Sequence, residues 1–198
     1  NHHGVKIESG PMHPAILALA TPWRDPAHYN RLMRSLPHMS VAAPLVRDHG
    51  GGQVRATGGT ARVDYKLSKA DVADVRRGIE ASARIMEAAG ALEIFTSQAA
   101  FVSYRPGQRG GLAGFMEDVD RQGYGVGQMG YLSFHQMGSC RMGTDPQTSV
   151  IKADHETHMV KNLFVADGSA FPSASGVNPM ITIMSMAHRA TRFIAAAC

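Results

Sequence analysis

The densest group of metal-ligating residue types lies in residues 154–158, which read Asp-His-Glu-Thr-His. A zinc protease site needs His-Glu-x-x-His on a helix, because that spacing places both imidazoles on one helix face. Here the histidines are one residue too close, and no helical apolar pattern surrounds them. The segment is interpreted as a solvated turn, and no metal is expected. A histidine metalloenzyme built on His155 and His158 is kept as an alternative.

Residues 125–130, Gly-Val-Gly-Gln-Met-Gly, match the Gly-x-Gly-x-x-Gly fingerprint of dinucleotide-binding proteins. That motif binds a pyrophosphate where a strand precedes it and a helix begins on it, because the N–H groups at the helix start then meet the phosphates. In this chain a polar, charged segment precedes the glycines and a strand-like run follows them. They are predicted to form a loop that binds no nucleotide.

Cys140 lies beside Arg141 and is a candidate nucleophile, since a cationic neighbour stabilises a thiolate. Consecutive side chains often point apart, however, and a buried structural cysteine is the preferred interpretation. With Cys198 as the second of two cysteines, no disulfide framework is expected, which fits a reducing compartment.

His135 and Asn178 offer a different chemistry. An imidazole can take up a proton near neutral pH, because its ordinary pKa is about 6.5. A carboxamide can donate a hydrogen bond to an oxygen and stay uncharged. Taken alone, however, His135 is more often structural, and Asn178 before Pro179 is typical of a helix cap.

The elements that must position these residues follow from apolar periodicity. Alternating runs separated by glycines predict an antiparallel meander over residues 45–67. Ser68 as N-cap and Asp71 three residues later predict a helix at about 69–89. Helices are also predicted after Pro14 and after Pro179, the latter apolar on nearly every face and therefore buried. Further strands are predicted at 5–7, 92–95, 131–135 and 163–166, and a glycine-rich loop with one helical turn at 105–130.

Composition excludes several classes of protein. The 198 residues are 44% apolar and carry a formal charge of +4, which excludes a disordered tail. The basic residues are scattered, so nucleic acid is not an expected partner. No apolar stretch is long enough to span a membrane, and no signal segment is evident. The default expectation is therefore a cytoplasmic location, with membrane association as the alternative.

Three stretches, in this order, resemble the C-terminal signature of the glucose–methanol–choline oxidoreductases. They are residues 133–143 (Ser-Phe-His-Gln-Met-Gly-Ser-Cys-Arg-Met-Gly), 162–172 (Asn-Leu-Phe-Val-Ala-Asp-Gly-Ser-Ala-Phe-Pro) and 176–182 (Gly-Val-Asn-Pro-Met-Ile-Thr). The amino-acid sequences of these motifs are most similar to those of the long-chain fatty alcohol oxidase branch. The resemblance implies an enzyme that oxidises the CH–OH group of an alcohol with FAD as cofactor.

Within that resemblance, His135 matches the catalytic histidine and Asn178 the position of a second histidine or an asparagine. His135 would accept the hydroxyl proton, and Asn178 would donate a hydrogen bond to the substrate oxygen. The residues implied to contact FAD are Asp167, Gly168, Asn178, Pro179, Met180 and Thr182. The start of the last helix would place its partial positive charge beside the cofactor.

The implied fold class is α+β: a mostly antiparallel substrate-domain sheet flanked by helices, plus the C-terminal strand and helix of an FAD-binding domain. Residues 1–132 would be the substrate-domain portion, and 133–198 the segment that completes the flavin site. The N-terminal nucleotide-binding part of such an enzyme has no counterpart in this sequence, so the chain is interpreted as a fragment that needs that part in cis. Residues 163–194 should then expose apolar surface.

The expected substrate is a small-molecule alcohol. Twelve methionines suit an adaptable apolar pocket for a long-chain alcohol, although core packing explains them equally well. The alternative from another class is a non-catalytic binding or assembly module derived from such a flavoenzyme.

Overall fold

The computed structural model describes residues 4–10 and 13–197. They divide into two compact units, one formed by the described residues of 4–46 and 67–132, the other by residues 47–66 and 133–197. In chain order the elements are β1 (Val5–Ser9), α1 (Pro14–Ala20), α2 (Pro26–Arg34), β2 (Ala42–Val46), β3 (Gly52–Thr57), β4 (Thr60–Tyr65), α3 (Lys69–Ala88), β5 (Ile94–Phe95), β6 (Ser103–Tyr104), α4 (Gly111–Gln122) and α5 (Met180–Ala197). Single 3₁₀ turns lie at Leu36–His38 and Gly168–Ala170.

The long helix of the first unit, α3, confirms the prediction of a helix at about 69–89. A reciprocal pair of hydrogen bonds begins it: the Ser68 hydroxyl oxygen accepts from the Asp71 N–H at 3.1 Å, and the Asp71 carboxylate accepts from the Ser68 N–H at 2.9 Å. This capping box satisfies two N–H groups that a helix start otherwise leaves free.

Helix α3 lies against the antiparallel pair β1–β2 through a glycine. A Cβ atom at Gly78 would lie 2.5 Å from Cβ of Pro44 and 3.0 Å from Cγ1 of Val5. Only a residue without a side chain lets the helix backbone come this close to both strands.

The core of the first unit forms where α3, α4 and the β5–β6 pair meet. Its buried members are Ala83, Val102, Tyr104, Phe115, Met116 and Val119. The aromatic rings of Tyr104 and Phe115 stack with centroids 5.7 Å apart. Apolar burial of this kind supplies most of the free energy that favours folding.

The second unit contains the β3–β4 hairpin, a set of loops and α5. The hairpin pairs Gly52 with Tyr65 at its base and Thr57 with Thr60 at its tip. Beyond it, the described chain from residue 133 to 179 contains isolated bridges and the 3₁₀ turn rather than strands.

The α+β fold class is confirmed, with differences in its elements. The antiparallel strands form three two-stranded sheets rather than one, and β2 pairs with β1 instead of joining a meander with β3. The predicted strand at 163–166 is reduced to one bridge between Phe164 and Glu156, and residues 131–135 form no strand. These segments alternate or are apolar, but in the described chain no strand lies alongside them to pair with.

Helix α4 is a second correction, because the sequence predicts a loop with one helical turn over residues 105–130 and the structure has a helix over Gly111–Gln122. Its glycines suggest a loop, yet Gly110, with φ +88°, is the N-cap residue that directly precedes the helix, and glycine adopts this left-handed conformation without strain. The signal that the interpretation missed is the spacing of Leu112, Phe115, Met116 and Val119, which places all four side chains on one helix face.

Helix α5 is exposed rather than buried. Ala190 is its one buried residue among those described, and large apolar side chains over residues 163–184 lie in solvent. They are Leu163, Val177, Met180, Ile181 and Met184, with exposed fractions of 49–68%. The expectation of exposed apolar surface over residues 163–194 is confirmed, and the expectation of a buried last helix is wrong for this chain. No helix among the described residues is both long and apolar enough to cross a membrane.

We predict opposite effects for two glycine-to-alanine changes in helices. Gly78→Ala should lower the free energy of unfolding by about 1–2 kcal/mol, because steric overlap with Pro44 outweighs the gain in helix propensity. Gly114→Ala should raise it by about 0.5–1 kcal/mol, since no described atom beyond its chain neighbours and the backbone of its own helix lies within 4 Å of its Cβ position. Urea unfolding measures both. Equal effects of the two changes would contradict the close packing of α3 on the strands.

Candidate active site

His135, the candidate proton acceptor, is half-buried in the second unit. Phe134 beside it is 67% exposed, and the side-chain N–H of Gln136 donates to the Ser133 carbonyl at 2.6 Å. The His135 ring makes no hydrogen bond to any other described residue. Its nitrogens therefore remain available to a ligand.

The motif that contains His135 is hydrogen-bonded to the second motif. The Cys140 N–H donates to the Ser169 carbonyl at 3.1 Å, and the Met142 N–H donates to the Ala170 carbonyl at 2.9 Å. Cys140 is half-buried rather than fully buried. Its main-chain N–H contributes to the link between the two motifs. Cys198 lies outside the described residues.

Asp167 shapes the second motif. Its carboxylate accepts from the Ser169 N–H at 2.8 Å and from the Ser169 hydroxyl through the same oxygen, which caps the 3₁₀ turn. The other carboxylate oxygen accepts no hydrogen bond from the described residues, and Asp167 is exposed. One oxygen thus holds the turn, and the other can still accept a hydrogen bond from a ligand.

Gly168, in the second motif, lies close both to the first motif and to α5, the helix in which the third motif ends. A Cβ atom on Gly168 would lie 3.2 Å from the Gln136 carbonyl oxygen and 3.2 Å from Cδ1 of Ile183. Gln136 follows His135, and Ile183 lies one turn into α5, so this glycine links the histidine segment to the helix after Asn178. The space its missing side chain leaves is filled by the protein's own atoms.

Asn178 lies at the entrance to α5. It is exposed, whereas Pro179 is buried, and the first helical hydrogen bond runs from the Ile183 N–H to the Pro179 carbonyl at 2.8 Å. The N–H groups of the first turn, including those of Met180 and Thr182, therefore have no partner inside the helix. That turn holds no acidic residue to compete for them.

One contributor to this region was missed by the sequence interpretation. The Arg47 Nε–H donates to the carbonyl of Ala174 at 3.1 Å, and the stem of Arg47 packs on Gly176. Arg47 precedes the β3–β4 hairpin by five residues and is 127 residues away from Ala174 along the chain. No spacing rule could have joined them.

The Asp-His-Glu-Thr-His segment is not a solvated turn. His155 is fully buried with φ +71°, and its Nδ1 lies 2.9 Å from the Val165 carbonyl oxygen. Since that oxygen can only accept, Nδ1 carries the proton, and Nε2 is buried without a partner among the described residues. Tertiary burial decided this outcome, because the local sequence is strongly polar.

The other groups of that segment are engaged separately. Nε2 of His158 lies 2.9 Å from the Ser149 hydroxyl oxygen and 3.2 Å from the Gly143 carbonyl oxygen. The pKa of Glu156 is held below its usual range, mainly by the hydrogen bond from the Lys152 ammonium and secondly by the hydrogen bond from the Asn162 N–H. Among residues 4–10 and 13–197, no three His, Cys, Asp or Glu side chains are arranged to hold a metal ion.

The Gly-x-Gly-x-x-Gly residues form a loop after α4, as predicted. The Gln128 N–H donates to the Gly125 carbonyl at 3.0 Å, which closes a turn there, and Met129 forms an isolated bridge with Gln98. Neither a preceding strand nor a following helix flanks this loop.

Comparison with known proteins decides the family. Residues 51–187 match the family model described as GMC oxidoreductase. The chain belongs to the GMC oxidoreductase family. The match covers the β3–β4 hairpin and all three motifs, which confirms the resemblance in the sequence.

Relatives of this GMC oxidoreductase chain include long-chain-alcohol oxidases. It is 34% identical to long-chain-alcohol oxidase FAO3 of Arabidopsis thaliana over 194 residues, covering 92% of this chain and 25% of that protein. It is also 34% identical over 135 residues to 2-methyl-1,2-propanediol dehydrogenase of Mycolicibacterium austroafricanum, covering 68% of this chain and 19% of that protein. The chain thus spans about a quarter of the length of the long-chain-alcohol oxidases that it matches.

A solved structure supports the fold. The crystal structure of pyridoxine 4-oxidase from Mesorbium loti matches 79% of this chain and 30% of its own, with a TM-score of 0.51 and 23% identity. At this identity the likeness shows the fold alone.

We predict that His155 is a structural residue of the second unit. His155→Ala should lower the free energy of unfolding by about 2–4 kcal/mol, because it removes a buried hydrogen bond and leaves a cavity. His155→Asn should cost less, since asparagine tolerates positive φ and can donate to the Val165 carbonyl. Urea unfolding orders the variants, and an unchanged midpoint for His155→Ala would disprove this role.

Proposed function

We propose that this chain forms part of an FAD-dependent enzyme that oxidises the CH–OH group of an alcohol. Membership of the GMC oxidoreductase family makes it an oxidoreductase chain. The observation that carries the finer proposal is the approach at Gly168, which brings the segment of His135 and the helix that follows Asn178 to one point.

The residues around this point fit a flavin. A flavin has a flat apolar body and a polar edge, and the first turn of α5 offers free N–H groups beside the exposed side chains of Val177 and Met180. Asp167 and Gly168 from the 3₁₀ turn, with Asn178, Pro179, Met180 and Thr182 from the helix start, would hold the cofactor. When bound, FAD supplies the acceptor for the hydride that leaves the alcohol carbon.

His135 takes the proton in this proposal. Removal of a hydride from carbon makes the hydroxyl proton acidic, and a nearby neutral imidazole nitrogen can accept it. The His135 ring suits this task because it is half-buried and no described residue occupies its nitrogens.

Asn178 stabilises the substrate oxygen. Its carboxamide N–H donates to that oxygen as negative charge develops on it, and the partial positive charge at the start of α5 acts in the same direction. An uncharged donor placed on a helix start needs no reorganisation during the reaction.

The substrate class follows from the relatives and from the surface. We propose a long-chain alcohol, as in the names of the Arabidopsis relatives, held against apolar side chains. In this proposal residues 1–132 contribute the substrate-domain portion, residues 133–198 complete the flavin site, and an N-terminal nucleotide-binding part in cis supplies the remaining contacts to FAD.

Replacement of the proton acceptor tests the first role. In the complete enzyme, His135→Ala should lower kcat by about 10²–10⁴ with flavin content unchanged, because the proton loses its acceptor. Stopped-flow bleaching of the flavin by a long-chain alcohol measures the step. His38→Ala, at an exposed histidine of the first unit, is the matched control and should leave kcat unaltered. A normal rate for His135→Ala would remove His135 from the mechanism.

Replacement of the hydrogen-bond donor tests the second role. Asn178→Leu should lower kcat by about 10²–10³, a loss typical of removing one donor to a developing oxyanion, without emptying the flavin site. Asn30→Leu, at an exposed asparagine of α2, is the control. Unchanged kinetics for Asn178→Leu would disprove the donor role. Lack of flavin binding by the complete wild-type protein would favour the non-catalytic module instead.

A further inference from the structure

The segment before Asn178 is a tight turn that its own residues only partly close. The Ser175 hydroxyl donates to the Val177 carbonyl and also accepts from the Val177 N–H at 3.3 Å. These bonds fix Ser175 and Val177 relative to one another. They do not fix the turn relative to the rest of the second unit.

Arg47 supplies that outside contact. Its Nε–H donates to the Ala174 carbonyl at 3.1 Å, so the turn is held at its first residue by a charge-assisted hydrogen bond. Such bonds are stronger than those between neutral groups.

The aliphatic stem of Arg47 makes a second contact, at Gly176. A Cβ atom on Gly176 would lie 2.8 Å from Cβ, 3.0 Å from Cδ and 3.1 Å from Cγ of Arg47, and Gly176 has φ +67°. Glycine is thus required there for its backbone conformation and for the close approach of the arginine. Arg47 touches the turn at two residues, 174 and 176, and Asn178 follows two residues later.

Arg47 is itself anchored. The next residue, Asp48, accepts a hydrogen bond from the Tyr65 hydroxyl at the base of the β3–β4 hairpin, where Gly52 pairs with Tyr65. The hairpin therefore holds the backbone from which the Arg47 side chain extends.

We propose that Arg47 is a positioning residue that sets the direction of the Asn178 carboxamide by holding the turn at residues 174–176. This inference rests on the proposed function, because it assumes that Asn178 meets the substrate oxygen. Since a hydrogen bond to developing charge is strongest in the transition state, a misplaced Asn178 reduces kcat more than it changes KM.

Arg47→Met in the complete enzyme tests the proposal. Methionine keeps an unbranched stem against Gly176 but removes the Nε–H donor. We expect kcat for a long-chain alcohol to fall about tenfold, as misplacement of a catalytic group does, with KM and flavin content unchanged. Arg47→Lys should recover part of kcat, because its ammonium can donate to the same carbonyl. Arg55→Met, an exposed arginine in β3, is the matched control and should behave as wild type.

A double-mutant cycle separates positioning from any other role. If Arg47 acts through Asn178, Arg47→Met should cause no further loss of kcat in the Asn178→Leu background. Gly176→Ala perturbs the same turn from the other side and should also lower kcat at constant flavin content. Two results would overturn the positioning role while leaving the proposed function intact. One is a wild-type kcat for Arg47→Met; the other is an equal fold-loss of kcat on Arg47→Met in the wild-type and in the Asn178→Leu backgrounds. A wild-type kcat for Asn178→Leu would instead defeat the proposed function itself.

Discussion

The approach of three chain segments at Gly168 is the constraint on which the rest of the second unit depends. With a side chain at this position, the Gln136 carbonyl and Ile183 would each have to give way by a few tenths of an ångström. Both belong to segments that carry a proposed functional residue, so the displacement would pass directly to His135 or to the start of α5. A glycine in the second motif thereby allows the first motif and helix α5 to come close to one another.

Main-chain hydrogen bonds rather than a sheet hold this arrangement. Bonds from Cys140 and Met142 join the first motif to the 3₁₀ turn, and the buried ring of His155 holds Val165 two residues before Asp167. Irregular backbone of this kind is stable only where its polar groups find partners. The same irregular backbone brings Gly168 close to the Gln136 carbonyl and to Ile183 of α5.

The exposed apolar side chains of α5 give this unit an unusual surface. Met180, Ile181 and Met184 lie in solvent on a helix whose composition is typical of a buried one. Contiguous apolar surface is normally covered by another part of a protein. This agrees with a chain that spans about a quarter of the length of its long-chain-alcohol oxidase relatives.

Local sequence patterns were sufficient to predict a helix or hairpin wherever that element is stabilised by its own residues. Helix α3 could be predicted because its capping box and apolar spacing lie in one stretch, and the β3–β4 hairpin because its glycines and alternation are adjacent. Helix α4 could not, since its glycines suggested a loop and its stability comes from burial of Phe115 and Val119 against other elements. The prediction of a strand at 163–166 was wrong because the apolar run is local, whereas a strand needs a partner. In the described chain its only pairing is a single bridge.

The same distinction applies to the site. The types and order of the three motifs, and with them the family, were readable from residue identities alone, because each motif is contiguous. The choice of His135 and Asn178 follows from that resemblance and stays a prediction. The burial of His155, the contact of Gly168 with Ile183 and the hold of Arg47 on Ala174 join residues that are distant along the chain. Such contacts arise only when folding brings separate segments together, so only the tertiary structure could decide them.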